Sequence, residues 1–259
     1  KINIIYYRQM KITRDKKDIY HKFIYKNISK VLVITKQLEK DCQKYLPISN
    51  SQIIHLKYGI EIPNISSSIN KEDLFQKYNL KESSFVIGVF SRIEEQKGQH
   101  LVIDALNLIN KDDIQLLIVG HCMNSKYLEK LYGMIREYKL EDKISIVPFI
   151  ESPMEIMSFL NLVILPTYEE TFGLVVAESM LMETTVIGSN AGGVPEIIQD
   201  GFNGLLFKTM DYKSLKNKII DIYSSEELRN KLSYNAKIFA IENYDYKMHF
   251  SKLDKILSM

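Results

Sequence analysis

Beyond residue 70, short apolar runs alternate with longer stretches whose apolar residues return at every third or fourth place. The runs Phe85 to Phe90, Gln115 to Val119, Ile144 to Val147, Leu160 to Leu165 and Thr185 to Gly188 read as buried strands. The stretches around them read as helices. One ends at Tyr78, one covers Gly98 to Ile109, one covers Ser125 to Tyr138, a short one is opened by the capping pattern Ser152-Pro153-Met154-Glu155, and one follows Phe172. A further short strand is expected at Gly204 to Phe207, with two or three closing helices between Asp211 and Leu257. Strands alternating with helices in this way predict a parallel α/β sheet covered on both faces.

The earlier residues repeat the pattern on a smaller scale. Ile2 to Tyr7, Val31 to Ile34 and Ile53 to Leu56 are strand-like, and Thr35 is placed to cap a helix over Gln37 to Tyr45. A basic stretch with Arg8, Lys11, Arg14, Lys16 and Lys17 runs into a helical pattern through about Lys30. Two strand-helix pairs and a third strand suggest part of a second parallel sheet. Between Tyr58 and Asn70, Gly59, Pro63, Asn64 and Ser66-Ser67-Ser68 mark a linker, which divides the chain into 1–62 and 63–240 ahead of a terminal helix at 241–259. In that helix Tyr246, Phe250, Leu253 and Leu257 recur at helical spacing and need a partner surface.

The totals narrow the class. At 259 residues the chain is one complete domain plus a piece, and 46% apolar with 25% charged residues is enough to fill a core. A net charge of +2 makes no whole-chain demand for nucleic acid, and none is expected as a partner. Cys42 and Cys122 form neither a disulfide framework nor a metal-ligand spacing, which fits a reducing, cytosolic setting. No apolar run reaches the roughly eighteen residues needed to span a bilayer, and Lys1-Ile2-Asn3-Ile4-Ile5 is not a signal peptide. The protein is therefore expected to be soluble or peripheral. The chain drops straight into a strand without a methionine, so residues are expected upstream.

In parallel α/β sheets ligands bind outside the carboxyl ends of the strands, so the loops after them carry the candidate chemistry. After the Phe85 strand come Arg92 and Lys97, with Gly98 opening a helix. Two cations there suit a diphosphate, although both could equally be solvated or paired with Glu94 and Glu95. After the Leu160 strand, Glu170 lies before a helix and Glu178 about two turns inside it. A helix start attracts phosphate, and a carboxylate beside it can accept from both hydroxyls of a ribose. The plainer readings are a favourable helix-end charge for Glu178 and a solvated loop for Glu169-Glu170. Ala191-Gly192-Gly193-Val194-Pro195-Glu196 allows a close backbone approach to a ligand or a plain tight turn. The chain has no Gly-x-Gly-x-x-Gly after a strand, no P-loop, no Asp-x-Asp, no serine nucleophile elbow, and no metal spacing among His21, His55, His100, His121 and His249.

Four segments in order carry a resemblance: Ser91-Arg92-Ile93-Glu94-Glu95-Gln96-Lys97-Gly98; Pro166-Thr167-Tyr168-Glu169-Glu170-Thr171-Phe172-Gly173 with Glu178; Gly192-Gly193-Val194-Pro195-Glu196-Ile197-Ile198; and Gly201-Phe202-Asn203-Gly204-Leu205-Leu206. Together they resemble the retaining glycosyltransferases of the GT-B fold often called family 4, over roughly Phe85 to Phe207. The resemblance implies two Rossmann-like domains, of which the C-terminal one holds a nucleotide-sugar donor and the N-terminal one an acceptor. It implies that Arg92 and Lys97 contact the donor diphosphate, that Glu178 holds the ribose and that Glu170 meets the transferred sugar. Backbone N–H groups near Thr171, Phe172, Gly173 and Leu174 would assist, and the loop at Phe149-Ile150 would border the base. No metal is implied at the diphosphate, and no cofactor beyond the donor.

Ile2 to Ile62 resembles only the last strands and helices of the acceptor-side domain plus the linker, and residues 241–259 resemble the terminal helix that crosses back to it. Where many relatives place a histidine after the corresponding strand, this chain has Arg8-Gln9-Met10; His21 lies in a helix and is read as structural. The resemblance implies transfer of a hexose from a UDP- or GDP-sugar to a saccharide or lipid-linked acceptor, in polysaccharide or glycolipid synthesis. It also implies a cytoplasmic protein whose basic stretch could touch anionic lipid at the inner membrane face. Two alternatives stand beside it: a non-catalytic nucleotide-sugar binding module, and a nucleotide-sugar epimerase of the same fold, for which acid/base residues are not found.

Overall fold

The structure, a computed structural model, describes residues 3–62 and 70–258. Most of the expected linker, including Pro63, Asn64 and the serine run, lies outside the described residues, as does Ile2 of the first expected strand. The elements in chain order are β1 (Ile4–Arg8), α1 (Ile19–Tyr25), β2 (Ile28–Val33), α2 (Lys36–Tyr45), β3 (Ile53–His55), α3 (Lys71–Lys77), β4 (Phe85–Phe90), α4 (Gln99–Ile109), β5 (Ile114–Val119), α5 (Ser125–Glu137) and β6 (Ile144–Val147). There follow α6 (Pro153–Met157), β7 (Leu162–Leu165), α7 (Leu174–Leu181), β8 (Thr185–Ser189), α8 (Val194–Ile197), β9 (Leu205–Phe207), α9 (Tyr212–Ser224), α10 (Glu226–Tyr244) and α11 (Tyr246–Leu257). Contacts divide the chain into two units, Lys1–Glu61 with Glu242–Met259, and Ile62–Ile241.

The larger unit is the parallel α/β sheet that the alternation predicts, in the order β6-β5-β4-β7-β8-β9. Every paired neighbour is parallel, and β4 and β5 are buried along their whole length, which is why β4 reads as an unbroken apolar run and β5 as one interrupted only by Gln115, whose buried side chain accepts from the Lys81 N–H at 2.6 Å. Ile87, Leu116, Ile118, Ile164 and Ile187 pack with Val102 and Ile103 of α4 and Leu215 and Ile219 of α9 in one core. Each such burial is worth about 1.5–3 kcal/mol, so the strand ends are held by the core rather than by the loops they carry. The chain leaves β4 toward β5 and β6, then returns to place β7 on the other side of β4. That reversal opens a crevice at the carboxyl ends of β4 and β7, the usual place for a ligand in an open α/β sheet.

The smaller unit has the parallel sheet β1-β2-β3. Thr35 caps α2 as expected, its hydroxyl accepting from the Leu38 N–H at 3.2 Å. Several boundaries differ from the sequence reading, among them the end of the first helix, at Tyr25 rather than about Lys30. Strand β2 begins at Ile28 rather than Val31, because its ladder with β1 reaches Ile4 through backbone bonds that do not need apolar side chains. The helix after the basic stretch starts only at Ile19, where the Asp18 carboxylate accepts from the His21 N–H and also contacts the His21 ring.

On α11 the residues that meet the sheet are Leu253 and Ile256, clustered with Leu32 and Leu56, whereas Phe250 and Leu257 stay more than half exposed. The helix phase explains the difference. Asp245 caps α11 through the Met248 N–H and bridges to Ile60, which fixes the rotation at which the helix starts.

Candidate functional site

Strand β4 ends at Phe90 and delivers Ser91 and Arg92 to the crevice; β5 delivers Gly120 and His121, and the loop after β6 delivers Phe149 and Ile150. Helix α7 closes the hollow from the other side with Val175 and Glu178. The cavity measures about 420 Å³, within the range of small-ligand sites. An adjoining hollow of about 380 Å³, bounded by Lys77 and Tyr78 and by Glu155, shares the Phe149–Glu151 wall.

Arg92, Ile150 and Glu178, far apart in sequence, therefore line one cavity. Glu178 is the fifth residue of α7, little more than one turn in, so it lies nearer the helix start than the sequence reading placed it. Its carboxylate has no hydrogen-bond partner among the described residues, and burial pushes its pKa up. An unpartnered, partly buried carboxylate facing a cavity is suited to accept hydroxyl donors from a ligand. Arg92 keeps a surface character: its guanidinium meets Glu94 at 2.9 Å with 58% of the side chain exposed, a pairing that costs little to exchange for a ligand.

Lys97 and Glu170 are held together beside the cavity rather than inside it. Lys97 Nζ lies 2.8 Å from Glu170 Oε2, with the side chains 16% and 18% exposed. Neither plainer reading holds for them, since Lys97 does not pair with Glu95, which instead meets Lys130 at 3.4 Å, and Glu170 is not a solvated loop residue. The Thr171 N–H donates to Glu170 Oε1 at 3.1 Å.

The Glu170 carbonyl accepts from Gly193 at 2.8 Å, and Gly192 has φ +53, where a Cβ would collide with that same carbonyl oxygen. Of the two readings the sequence left open, the Gly192-Gly193 pair takes the turn: it packs against the Glu170 loop of the same chain. Phe172 is buried beneath the site, Gly173 caps α7 with φ +97, and Leu174 opens the helix with its side chain exposed. Gly98, at φ +69, lets α4 begin against the Pro166 carbonyl, where any Cβ would clash.

His121 lines the cavity from the loop after β5, one of the post-strand loops in which the sequence reading looks for ligand contacts. What the sequence reading missed is how these loops are braced. Gln99 donates to Ser91 Oγ at 2.9 Å and to the Arg92 carbonyl at 2.8 Å, bracing the loop of Arg92. Ser189 donates to the Thr167 carbonyl at 2.6 Å. The ring of Tyr168 is bonded to His100. Among the described residues no group of three His, Cys, Asp or Glu side chains is placed to hold a metal ion.

Comparison with known proteins places the chain in a family and matches its fold. The sequence model of the family described as Glycosyl transferases group 1 matches residues 70–239. The chain belongs to that family. It is 29% identical over 226 residues to an uncharacterized glycosyltransferase, MJ1178, of Methanocaldococcus jannaschii, covering 85% of this chain and 57% of that protein. It is 26% identical over 183 residues to the capsular polysaccharide biosynthesis glycosyltransferase CapM of Staphylococcus aureus, covering 69% of this chain and 47% of CapM. The chain thus spans about half the length of these curated relatives. The fold matches that of Anabaena HepE, solved in complex with UDP and glucose, with a TM-score of 0.87 and 22% identity over 99% of this chain and 71% of HepE. The α/β class with parallel sheets is therefore the GT-B type that the group 1 motifs implied.

Proposed function

We propose that this chain is the donor half, with part of the acceptor half, of a retaining glycosyltransferase of family 4 that moves a hexose from a UDP- or GDP-sugar to a saccharide or lipid-linked acceptor. The observation that carries the reading is the shared cavity of Arg92 and Glu178 at the β4/β7 switch point, beside the start of α7 and the Lys97–Glu170 pair. The UDP bound by HepE supports a nucleoside diphosphate as the ligand class. In this reading residues 63–240 bind the donor, residues 1–62 are the acceptor-side remnant and linker, and residues 241–259 return to that side.

The proposed chemistry needs stabilisation of a departing diphosphate. Arg92 and Lys97 supply fixed positive charge as negative charge develops on the leaving oxygen, and the N–H groups at Gly173 and Leu174 add the helix-end field. Glu178 accepts from the ribose hydroxyls and Glu170 from hydroxyls of the transferred sugar. The acceptor attacks from the face the nucleotide leaves, which retains the anomeric configuration. Neither a metal nor a further cofactor is part of the proposal. The enzyme is proposed to act in the cytoplasm in cell-surface polysaccharide or glycolipid synthesis, with the basic stretch Arg8 to Lys17 touching anionic lipid at the inner face. No helix among the described residues is long and apolar enough to cross a membrane.

Calorimetry with UDP and GDP tests the donor site. Glu178→Ala and Lys97→Ala should each weaken the binding seen with the unaltered chain by about tenfold or more, and unchanged affinity in both would sink the assignment.

A further inference from the structure

His100 stands in the first turn of α4, two residues beyond the Gly98 that Lys97 precedes, and its ring is held between two tyrosines. The Tyr127 hydroxyl lies 2.8 Å from Nδ1, and the Tyr168 hydroxyl lies 2.7 Å from Nε2, with both rings edge-on to the imidazole. The Tyr127 oxygen also accepts from the His100 backbone N–H at 3.2 Å. A neutral imidazole donates through one ring nitrogen and accepts through the other, so one of the two tyrosine hydroxyls donates to the ring and the other accepts from it. The neutral ring is favoured: burial lowers the His100 pKa and Lys130 adds to the effect, against Asp104 and Glu95.

Tyr168 begins the segment that carries Glu170. Its backbone N–H donates to the Gln96 carbonyl at 2.8 Å, next to Lys97, and its ring packs on the main core. Besides the Lys97–Glu170 pair itself, the loop of Glu170 is thus tied to this region by the Tyr168 backbone and the Thr167 hydroxyl at the Gln96 carbonyl and by the Tyr168 side chain at His100. Of the residues that make these contacts, Tyr168 and Gln96 belong to the segments that carry the family resemblance, whereas His100 and Tyr127 do not.

We infer that His100 is a positioning residue of the donor site: through the Tyr168 hydroxyl it sets the placement of the loop that brings Glu170 to Lys97. The inference rests on the donor reading above. It assigns His100 to the sugar end of the donor, because Arg92 and Glu178 reach the cavity from other elements and do not depend on Tyr168.

The test compares the affinity of the chain for UDP with UDP-glucose, and for GDP with GDP-mannose, in Tyr168→Phe, His100→Leu and His100→Gln. Tyr168→Phe and His100→Leu should cut the affinity added by the sugar by about threefold to tenfold, the range of one net hydrogen bond, and leave nucleoside diphosphate affinity within about twofold. His100→Gln, whose amide can donate to the Tyr168 hydroxyl, should restore most of the sugar-dependent gain. A gain that stays at the unaltered level in both deletions overturns the inference, as does a loss that falls equally on nucleotide and nucleotide-sugar. An unaltered chain that gains nothing from the sugar also overturns it while leaving the nucleotide site standing; one that binds no nucleotide defeats the donor reading itself.

Discussion

Replacing Lys97 by methionine separates the structural work of its ammonium from its proposed work on a ligand. Exposed ion pairs contribute about 0.2–1 kcal/mol, while breaking a fully buried pair costs about 3–5 kcal/mol because a charge is left uncompensated. The Lys97–Glu170 pair, with side chains 16% and 18% exposed, lies between, and the Thr171 N–H still serves Glu170 Oε1 after the substitution. A loss of about 1–2 kcal/mol follows, which lowers Tm by about 2–8 °C for a domain of this size.

Glu170→Gln alone should cost less, since the lysine can swing its head into water, and the double variant should recover most of the stability through a coupling on the order of 1 kcal/mol. Affinity should behave differently. A charge-assisted bond to phosphate is worth about 1.5–3 kcal/mol, so Lys97→Met should weaken nucleoside diphosphate binding by about tenfold to a hundredfold in the single and the double variant alike. Thermal denaturation and titration calorimetry on the same four proteins read both effects. If Glu170→Gln restores affinity together with Tm, Lys97 acts only by pairing with Glu170, and its proposed contact with the diphosphate is refuted.

Two further substitutions probe the same site. Glu178→Gln should raise the Tm of the unliganded protein at pH 7 while weakening nucleotide binding, because a carboxylate whose folded pKa is raised destabilises the fold wherever it is ionised; the gain should vanish as the pH falls below the normal glutamate range, about 4.3, and a gain that persists there would remove desolvation as its cause. Gly192→Ala puts a side chain at φ +53 against the Glu170 carbonyl, so Tm should fall by at least about 1–2 kcal/mol equivalent and the sugar-dependent gain in affinity should fall with it; a melting curve matching the unaltered protein would show that the turn does not brace the Glu170 loop.

The strands of the larger sheet were legible because parallel strands buried on both faces are predominantly apolar; β4 is wholly so, and in β5 Gln115 is the one polar residue. Helix starts were legible where one side chain does the capping, as at Thr35, and less so where a backbone feature decides. Ser152, for example, makes no side-chain cap bond, and α6 is started by Pro153 at its first position. The depth of Glu178 was misjudged for a related reason. The helix begins after the left-handed Gly173, and from the residues alone the acidic loop and the first turn run into each other.

The grouping of the site needed one thing the alternation does not contain, the order in which the strands lie. Once β7 is known to return beside β4, Arg92, Ile150 and Glu178 must share a crevice; without that order they are three unrelated loop and helix residues. The pairing of Lys97 with Glu170 was less accessible still. Glu94 and Glu95 lie closer in sequence and offer the same charge, and local reasoning prefers them. Glu95 instead meets Lys130, and Glu170 is held in reach by backbone bonds at Gln96 and Gly193 together with the side-chain bond of Tyr168 to His100. Glu170 is fixed at its carbonyl by Gly193 and at its two carboxylate oxygens by Thr171 and Lys97, so three loops meet on one residue. A site built this way shows in the sequence as a glutamate and two glycines, while some of the bonds that give it its position are made by main-chain atoms common to every residue and the others by side chains, Lys97 and His100, that lie about seventy residues away.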